Sequence, residues 1–448
     1  MQPKSFSIKV KSKIKPFKKI IQVDADKSLS IRSFLIGSIC QNISIANNIL
    51  ESEDVKSTIQ ACKKLGVKIL RLRSGSYKIF GKGLGSLYAK KNLTIDCGNS
   101  GTLGRLLLGI LATTPNIEIN ITGDKSLKKR SMKKLFDLMS EFGATFLPKG
   151  KYNFPIRLIS SEMPIGINYE SGISAQLKSA VLLAGLNSNG TTKIFEKVQS
   201  RDHTENLLKK NSNSLNIKPG KIKVITVYGK QQLRSLKLDI SGDPSSSAFF
   251  AALTLLNKRS KIKIKNVGLN PTRIGFYKIL KKQKAKIKFL NVKKINHEFK
   301  GDIIVESCKL KPIKSSAIFY PSTADEFPIL FVIAGLTKGI SSFKGIDDLV
   351  NKESNRIKEM QKVLKQVGIQ SRITKNEFKI YGKGMIDASK KTIHVRGIHD
   401  HRIHMASVIL ALLTGSSTNL QGFETVFSSS PSFLKIIKTL GAKFEIQK

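Results

Sequence analysis

The chain has no tryptophan, only four cysteines and thirteen prolines, and fewer than half as many acidic as basic residues, 31 against 78. Each shortage closes off a class of protein. Cys40, Cys62, Cys97 and Cys308 share no CxxC spacing within 448 residues. That is too sparse for a disulfide framework, and their apolar surroundings predict reduced, buried thiols. Cys97 ends the strand-like "LTIDC" and precedes a glycine-rich turn, so it does not read as a nucleophile. Few prolines with 40% apolar residues argue against extended disorder. The longest apolar runs, "AVLLAGL" at 180–186 and "ILFVIAGL" at 329–336, fall well short of the roughly 20 residues a membrane span needs. The opening "MQPKSFSIKVKSKIK" has no signal-type apolar core and alternates like a strand. A soluble, cytoplasmic chain with no membrane partner is expected.

The formal charge of +47 points to phosphate-bearing partners, nucleic acid first among them. The lysines, however, are scattered through every segment, and aromatics are not interleaved with arginine as a base-stacking platform requires. An anionic small molecule fits this distribution better than specific nucleic-acid binding does.

What is present is a repeat. A short polar start followed by an apolar run of helix length occurs six times. The six are "DKSLSIRSFLIGSI" from Asp26, "GNSGTLGRLLLGIL" from Gly98, "SGISAQLKSAVLLAGL" from Ser171, "SGDPSSSAFFAALTLL" from Ser241, "STADEFPILFVIAGL" from Ser322 and "GIHDHRIHMASVILALL" from Gly397. A second pattern keeps step with it: a helix end, a glycine and a strand, in "ACKKLGVKIL", "LMSEFGATFL", "VLKQVGIQSRI" and "IIKTLGAKFEI". "ILKKQKAKIKFL" at 279–290 is a degenerate copy, and the counterpart near 207–218 has lost its glycine. Each unit thus reads as a strand, a polar-started buried helix, a strand, an amphipathic helix and more strand, and six units predict an α/β protein of two three-repeat domains. One domain takes 23–239; the other takes 240–448, completed by the strand within 1–22. Hinges are expected near 20–23 and 239–241.

Serine, aspartate and threonine at a helix start cap its free N–H groups, and capping alone accounts for any one of these starts. Several also carry a cation in the first turn or two: Lys27, Arg32, Arg105, Lys178 and Arg402. Helix N-termini and cations together favour an anion site built from several helices. "GNSGTLGR" is neither a Walker loop, lacking Gly-Lys-Ser/Thr, nor GxGxxG. His399, His401 and His404 lack the i, i+4 spacing of a helical zinc motif, so no metal is expected. Asp325 and Glu353 stand beside cations; ion pairing accounts for either, but beside a bound anion either could exchange protons with it.

In their order and spacing, "DKSLSIR", "GNSGTLGR", "GDKSLKKR", "SAQLKSAVLLAGL", "RDHTE", "DEFP", "KESNR" and "DHRIHM" resemble the enolpyruvyl transferases. The likeness is closest to the EPSP synthase (3-phosphoshikimate 1-carboxyvinyltransferase) family and runs from about residue 5 to the C-terminus. The resemblance implies three βαβαββ units forming an inverted α/β-barrel half in each domain, with shikimate 3-phosphate and phosphoenolpyruvate bound between the domains and no metal or organic cofactor. It implies addition of the 5-hydroxyl to C2 of phosphoenolpyruvate and then loss of phosphate, a step of aromatic amino acid (chorismate) biosynthesis. Carried over motif by motif, Lys27, Ser28, Arg32, Ser174, Ala175, Gln176, Ser200, Arg201, Asp325 and Lys352 become ligands of shikimate 3-phosphate. Lys27, Gly101, Arg130, Gln176, Arg356 and Arg402 become ligands of phosphoenolpyruvate. Asp325 is the implied base, and Glu353 with Lys27 the implied proton-transfer pair for the methylene carbon; Arg105 is expected to support its loop. A monomer is expected. Gly101 keeps the small residue of glyphosate-sensitive members.

Asn351, Asn355, His404 and Ser131 depart from the family pattern, Ala175 replaces a serine of one branch, and "FSSSPSF" offers no match for a C-terminal lysine used by some members. The sister reaction on UDP-N-acetylglucosamine fits less well, since Lys27 is followed by Ser28 rather than asparagine and "GDKSLKKR" has no cysteine. An RNA-binding protein on a related repeat would explain the charge but not "KES" or "SAQLKSA".

Overall fold

A computed structural model describes residues 5–209, 213–375 and 377–447. Residues 1–4 of the expected opening strand and 210–212 of the third repeat's helix–strand join lie outside them. The chain forms two compact units. The inserted unit takes Ala25–Ile240 with Ile295–Glu298, and the outer unit takes the remainder, Met1–Asp24, Ser241–Lys294 and Phe299–Lys448. Each has its own apolar core.

The α/β repeat is present in both. The described residues form six four-stranded sheets of one pattern, in which a parallel pair continues into two antiparallel pairs. In one of them Asn168–Ser171 runs parallel to Thr191–Glu196, which pairs antiparallel with Lys223–Tyr228, which pairs antiparallel with Leu215–Lys218. Repeats one and four exchange their first strands. Lys18–Gln22 pairs with Lys261–Gly268 in the outer unit, while Lys237–Asp239 pairs with Ile43–Asn47 in the inserted one. The opening strand Ser7–Val10 completes the last sheet, between Ser417–Gln421 and Phe444–Gln447.

The six polar-started runs are six helices: α1 (Lys27–Ile39), α2 (Gly101–Leu111), α3 (Ala175–Leu186), α4 (Pro244–Leu256), α5 (Phe327–Gly335) and α6 (His401–Thr414). They are buried almost all round, as helices without a polar face must be. Their hydroxyls are satisfied internally: in α1, Ser30, Ser33 and Ser38 each donate to the carbonyl four residues back, at 2.6–2.8 Å. α2 and α3 approach so closely that a Cβ on Gly109 would lie 2.4 Å from the Ala180 carbonyl oxygen. The run from Ser322 is not one continuous helix. The helical segment Ala317–Thr323 ends before Asp325, and α5 starts at an angle of 119° to it, with Pro328 in its first turn. No single helix among the described residues is long and apolar enough to cross a membrane.

In the second pattern, Gly66, Gly143, Gly368 and Gly441 all sit at φ between +84° and +98°, the left-handed turn between helix and strand. In the degenerate copy, Lys284 takes that place at φ +59°, a conformation that costs a side-chain-bearing residue about 1–2 kcal/mol. Replacing Lys284 with glycine is therefore expected to raise the unfolding free energy by about 1 kcal/mol in urea titration. An unchanged or lowered value would contradict the account.

Glu51 gathers five donors: Arg71 Nε and Nη2 at 2.8 and 2.7 Å, Tyr77 at 2.6 Å, Ser74 at 3.2 Å and the Gly75 amide at 3.2 Å. Burial works to raise its pKa, but Arg71, Tyr77, Gly75 and Ser74 outweigh it and lower the value to about 2. The folded pKa lies below the unfolded 4.5, so this contribution is complete above 4.5 and fades as pH falls towards 2. Glu51→Gln should be less stable than wild type at neutral pH, and the gap should close on acidification. Equal spacing of the two stability curves down to pH 2 would refute it.

Candidate active site

In the inserted unit three helix N-termini carry the predicted groups. Asp26, Ser100 and Ser174 cap α1, α2 and α3, accepting from the amides of Leu29, Leu103 and Leu177. Lys27, in the first turn of α1, reaches Asp54 Oδ2 at 3.0 Å, and the two side chains are 18% and 8% exposed. Half-buried Ser28 offers its carbonyl to Arg32 Nη1 at 3.1 Å. Arg32 is buried; its Nε donates to Thr204 and its Nη2 to Ser179, at 2.9 and 3.1 Å. Its guanidinium is thus fixed from α1, α3 and the helix His203–Leu208.

A second group forms where α2 and α3 begin. Arg105 Nη1 donates to Gln176 Oε1 at 2.7 Å and to the Gly101 carbonyl at 3.2 Å; Gln176 Nε2 donates to Thr102 at 3.0 Å. Arg130 is held by Asn99 at 2.6 Å and Ser126 at 3.3 Å, leaving its buried Nε without a protein acceptor. A Cβ at Gly101 would stand 3.1 Å from Arg130 Nη1, so Gly101, Arg105, Arg130 and Gln176 share one place. Ala175 occupies the first helical position of α3, where a missing serine hydroxyl leaves the Ser174 cap intact.

Two expectations change in this unit. Lys178 does not face an anion site: it is fully buried, with Nζ 2.6 Å from both Glu196 and Glu205. Burial would lower its pKa, but Glu205 and Glu196 outweigh it and raise the value. Ser200 is also fully buried, and both its amide and its hydroxyl donate to Glu196 Oε1 at 2.9 Å. Its side chain anchors the loop carrying half-buried Arg201.

In the outer unit the cations and carboxylates converge on Arg356, at the start of the helix Arg356–Gln366. Its guanidinium, 1% exposed, meets Glu353 at 2.5 Å, Asp325 at 3.4 Å and Asp400 at 2.9 Å. Burial pulls its pKa down; Asp400, Glu353 and Asp325 outweigh that and hold it above its ordinary value. Asp400 also caps α6 through the Arg402 amide and accepts from Ser354. Arg402 is buried, lies over the Phe249 ring at 5.9 Å, and has no acceptor within the protein for Nε or Nη1. A buried guanidinium without acceptors is costly unless a ligand oxygen completes it. Asp325 lies in the break before α5, 25% exposed. Lys352 is paired with Asp348 at 2.6 Å, and Asp348 also accepts from Tyr320. Burial and then Asp348 raise the Tyr320 phenol above its ordinary range.

Among the departures, Asn355 caps its helix by accepting from the Lys358 amide at 3.1 Å, so an amide does there what a carboxylate would. His404 is fully buried, each ring nitrogen 2.9 Å from a carbonyl oxygen, of Asp400 and Gln421. Ser131 and Asn351 are exposed. The Ser131 hydroxyl accepts from the Lys133 amide at 3.4 Å, where the helix Lys133–Glu141 begins, and nothing in the structure gives Asn351 a role. His399 is exposed, and among the described residues no group of three or more His, Cys, Asp or Glu could hold a metal. Cys40, Cys62 and Cys97 are buried, reduced thiols, with burial pushing Cys62 up to about 11, whereas Cys308 is only half-buried. Sequence reasoning missed Asp54, Thr204, Ser179 and Glu196. No local motif marks them, because they act as partners across 18 to 172 residues of chain.

The family model for EPSP synthase (3-phosphoshikimate 1-carboxyvinyltransferase) matches residues 11–437. A 3-phosphoshikimate 1-carboxyvinyltransferase of Zymomonas mobilis is 34% identical over 98% of this chain and 97% of its own. One of Bacillus cytotoxicus is 36% identical over 94% and 97%. The EPSP synthase structure of Acinetobacter baumannii superposes with a TM-score of 0.85 at 32% identity, covering 99% of this chain and all of the other. The enolpyruvyl transferase NikO of Streptomyces tendae, 12% identical with a TM-score of 0.76, shares the fold. The chain belongs to the EPSP synthase family.

Proposed function

We propose that this chain transfers the enolpyruvyl group of phosphoenolpyruvate to the 5-hydroxyl of shikimate 3-phosphate, releasing phosphate, within chorismate and aromatic amino acid biosynthesis. Family membership over nearly the whole length supports the reaction. The observation that carries the chemistry is the Arg356 cluster, where a buried guanidinium holds Asp325 and Glu353 side by side.

Asp325 accepts the hydroxyl proton as the oxygen bonds to C2 of phosphoenolpyruvate, while Glu353 with Lys27 delivers a proton to C3. In the second step the C2–phosphate bond breaks, phosphate leaves, and the same pair removes a proton from the new methyl group. Lys27, Arg130, Arg356 and Arg402, with the Gly101 backbone and the Gln176 amide, bind phosphoenolpyruvate. Lys27, Ser28, Arg32, Ser174, Ala175, Gln176, Arg201, the loop anchored by Ser200, Asp325 and Lys352 bind shikimate 3-phosphate. Cations fixed beforehand offset the repulsion between two polyanions without reorganising during the reaction. The unpartnered nitrogens of Arg130 and Arg402 support those two assignments.

We put the domain hinges at 20–23 and 239–241, a reading supported by the passage of the chain between its units at Asp24–Ala25 and Ile240–Ser241. Both substrates are phosphate esters, which membranes retain, so the enzyme is read as a cytoplasmic monomer acting on small molecules.

Purified protein mixed with both substrates should release inorganic phosphate, and neither substrate alone should suffice. Asp325→Asn is expected to lower kcat by roughly 10²- to 10⁴-fold, the usual yield of a positioned base. Phosphate release no greater than that of Lys27→Ala would overturn the proposal.

A further inference from the structure

Gln176 stands out because both ends of its amide are already engaged inside the protein. Oε1 accepts from Arg105 Nη1 at 2.7 Å, and Nε2 donates one hydrogen to Thr102 Oγ1 at 3.0 Å. Rotating the amide by half a turn would set its NH₂ against the guanidinium, donor against donor, and its oxygen against Thr102. The arrangement therefore has one orientation, in which the second Nε2 hydrogen remains to be donated. For an anionic ligand this decides the sign of the contact: an N–H attracts a phosphate or carboxylate oxygen, and a carbonyl oxygen repels it.

Arg105 is itself placed by local geometry. It sits four residues after Gly101 on α2, and its Nη1 also donates to the Gly101 carbonyl at 3.2 Å. The guanidinium fills the space beside Gly101, where a Cβ would come within 2.6 Å of Nη1. Gly101, Arg105 and Gln176 are thus one mechanical unit, and a methyl at 101 would displace the guanidinium from Gln176.

We propose that Arg105 is a positioning residue that fixes the Gln176 amide with its N–H turned to the anionic substrate. It acts through Gln176 rather than on the ligand. The proposal rests on the enolpyruvyl-transfer reading and adds to it a determinant of which ligand atom Gln176 accepts.

The test is a double-mutant cycle read by steady-state phosphate release. Arg105→Ala and Gln176→Ala are each expected to lower kcat/KM for phosphoenolpyruvate by roughly 10- to 100-fold, the scale of one charge-assisted hydrogen bond. In the Gln176→Ala background, Arg105→Ala should then cost less than about threefold. Gln176→Glu should be worse than Gln176→Ala, because Arg105 would hold one carboxylate oxygen and turn the other towards the substrate. Gly101→Ala should cost less when Arg105 is already alanine than in wild type.

Additive losses from Arg105→Ala and Gln176→Ala would overturn the proposal, since Arg105 would then act on the ligand or on the fold. So would a Gln176→Glu variant as active as Gln176→Ala. Arg105→Gln repeats the cycle with a polar side chain if the alanine variant unfolds. Failure of the underlying reading looks different: wild type itself would release no phosphate, and both proposals would fall together. An active wild type with an additive cycle removes this one alone.

Discussion

A helix buried on every side can present polar groups only at its ends. Six such helices form the two cores, and each must satisfy its first amides where it begins. Asp26, Ser100, Ser174, Asp243 and Asp400 do so for α1, α2, α3, α4 and α6. Many of the candidate site residues, Lys27, Gly101, Ala175, Gln176 and Arg402 among them, lie at these starts, where the backbone is polar and positively biased. Glu326, the residue before α5, makes no cap bond of its own, and the adjoining break exposes Asp325.

The net charge suggests a surface seeking polyanions, but the informative cations are those held by carboxylates. Lys27 has Asp54, Arg356 has Asp325, Glu353 and Asp400, and Lys178 has Glu196 and Glu205. A buried cation needs such partners to stay charged. Their geometry separates purposes that composition merges. Lys178 is enclosed and structural, whereas buried Arg402 and half-buried Arg130 keep buried nitrogens with no acceptor in the protein. Exterior lysines such as Lys56, Lys133 and Lys362 also meet carboxylates, at 2.9 Å, but in solvent, where such pairs contribute little.

Local rules were the legible part. The six polar starts, the glycine turns at 66, 143, 368 and 441, and the α/β alternation all follow from residues within one or two turns of each other. Lys284 shows the limit: its copy of the motif lost the glycine, yet the left-handed turn persists between the helix Gly275–Lys282 and the strand Ile287–Ile295. The partners of the site residues were not legible. Arg32 meets Thr204 across 172 positions and Arg105 meets Gln176 across 71, and nothing near either residue in the chain announces the other.

The sequence by itself determined the repeat, the helix starts and the family, since capping, periodicity and ordered motifs are properties of short stretches. Only the tertiary structure decided which of the cations near those starts are spent. Lys178 and Arg402 look alike in sequence, each a cation early in an apolar helix. One is neutralised by two glutamates and the other keeps unpaired donors, because ion pairing depends on distances between segments that only packing brings together.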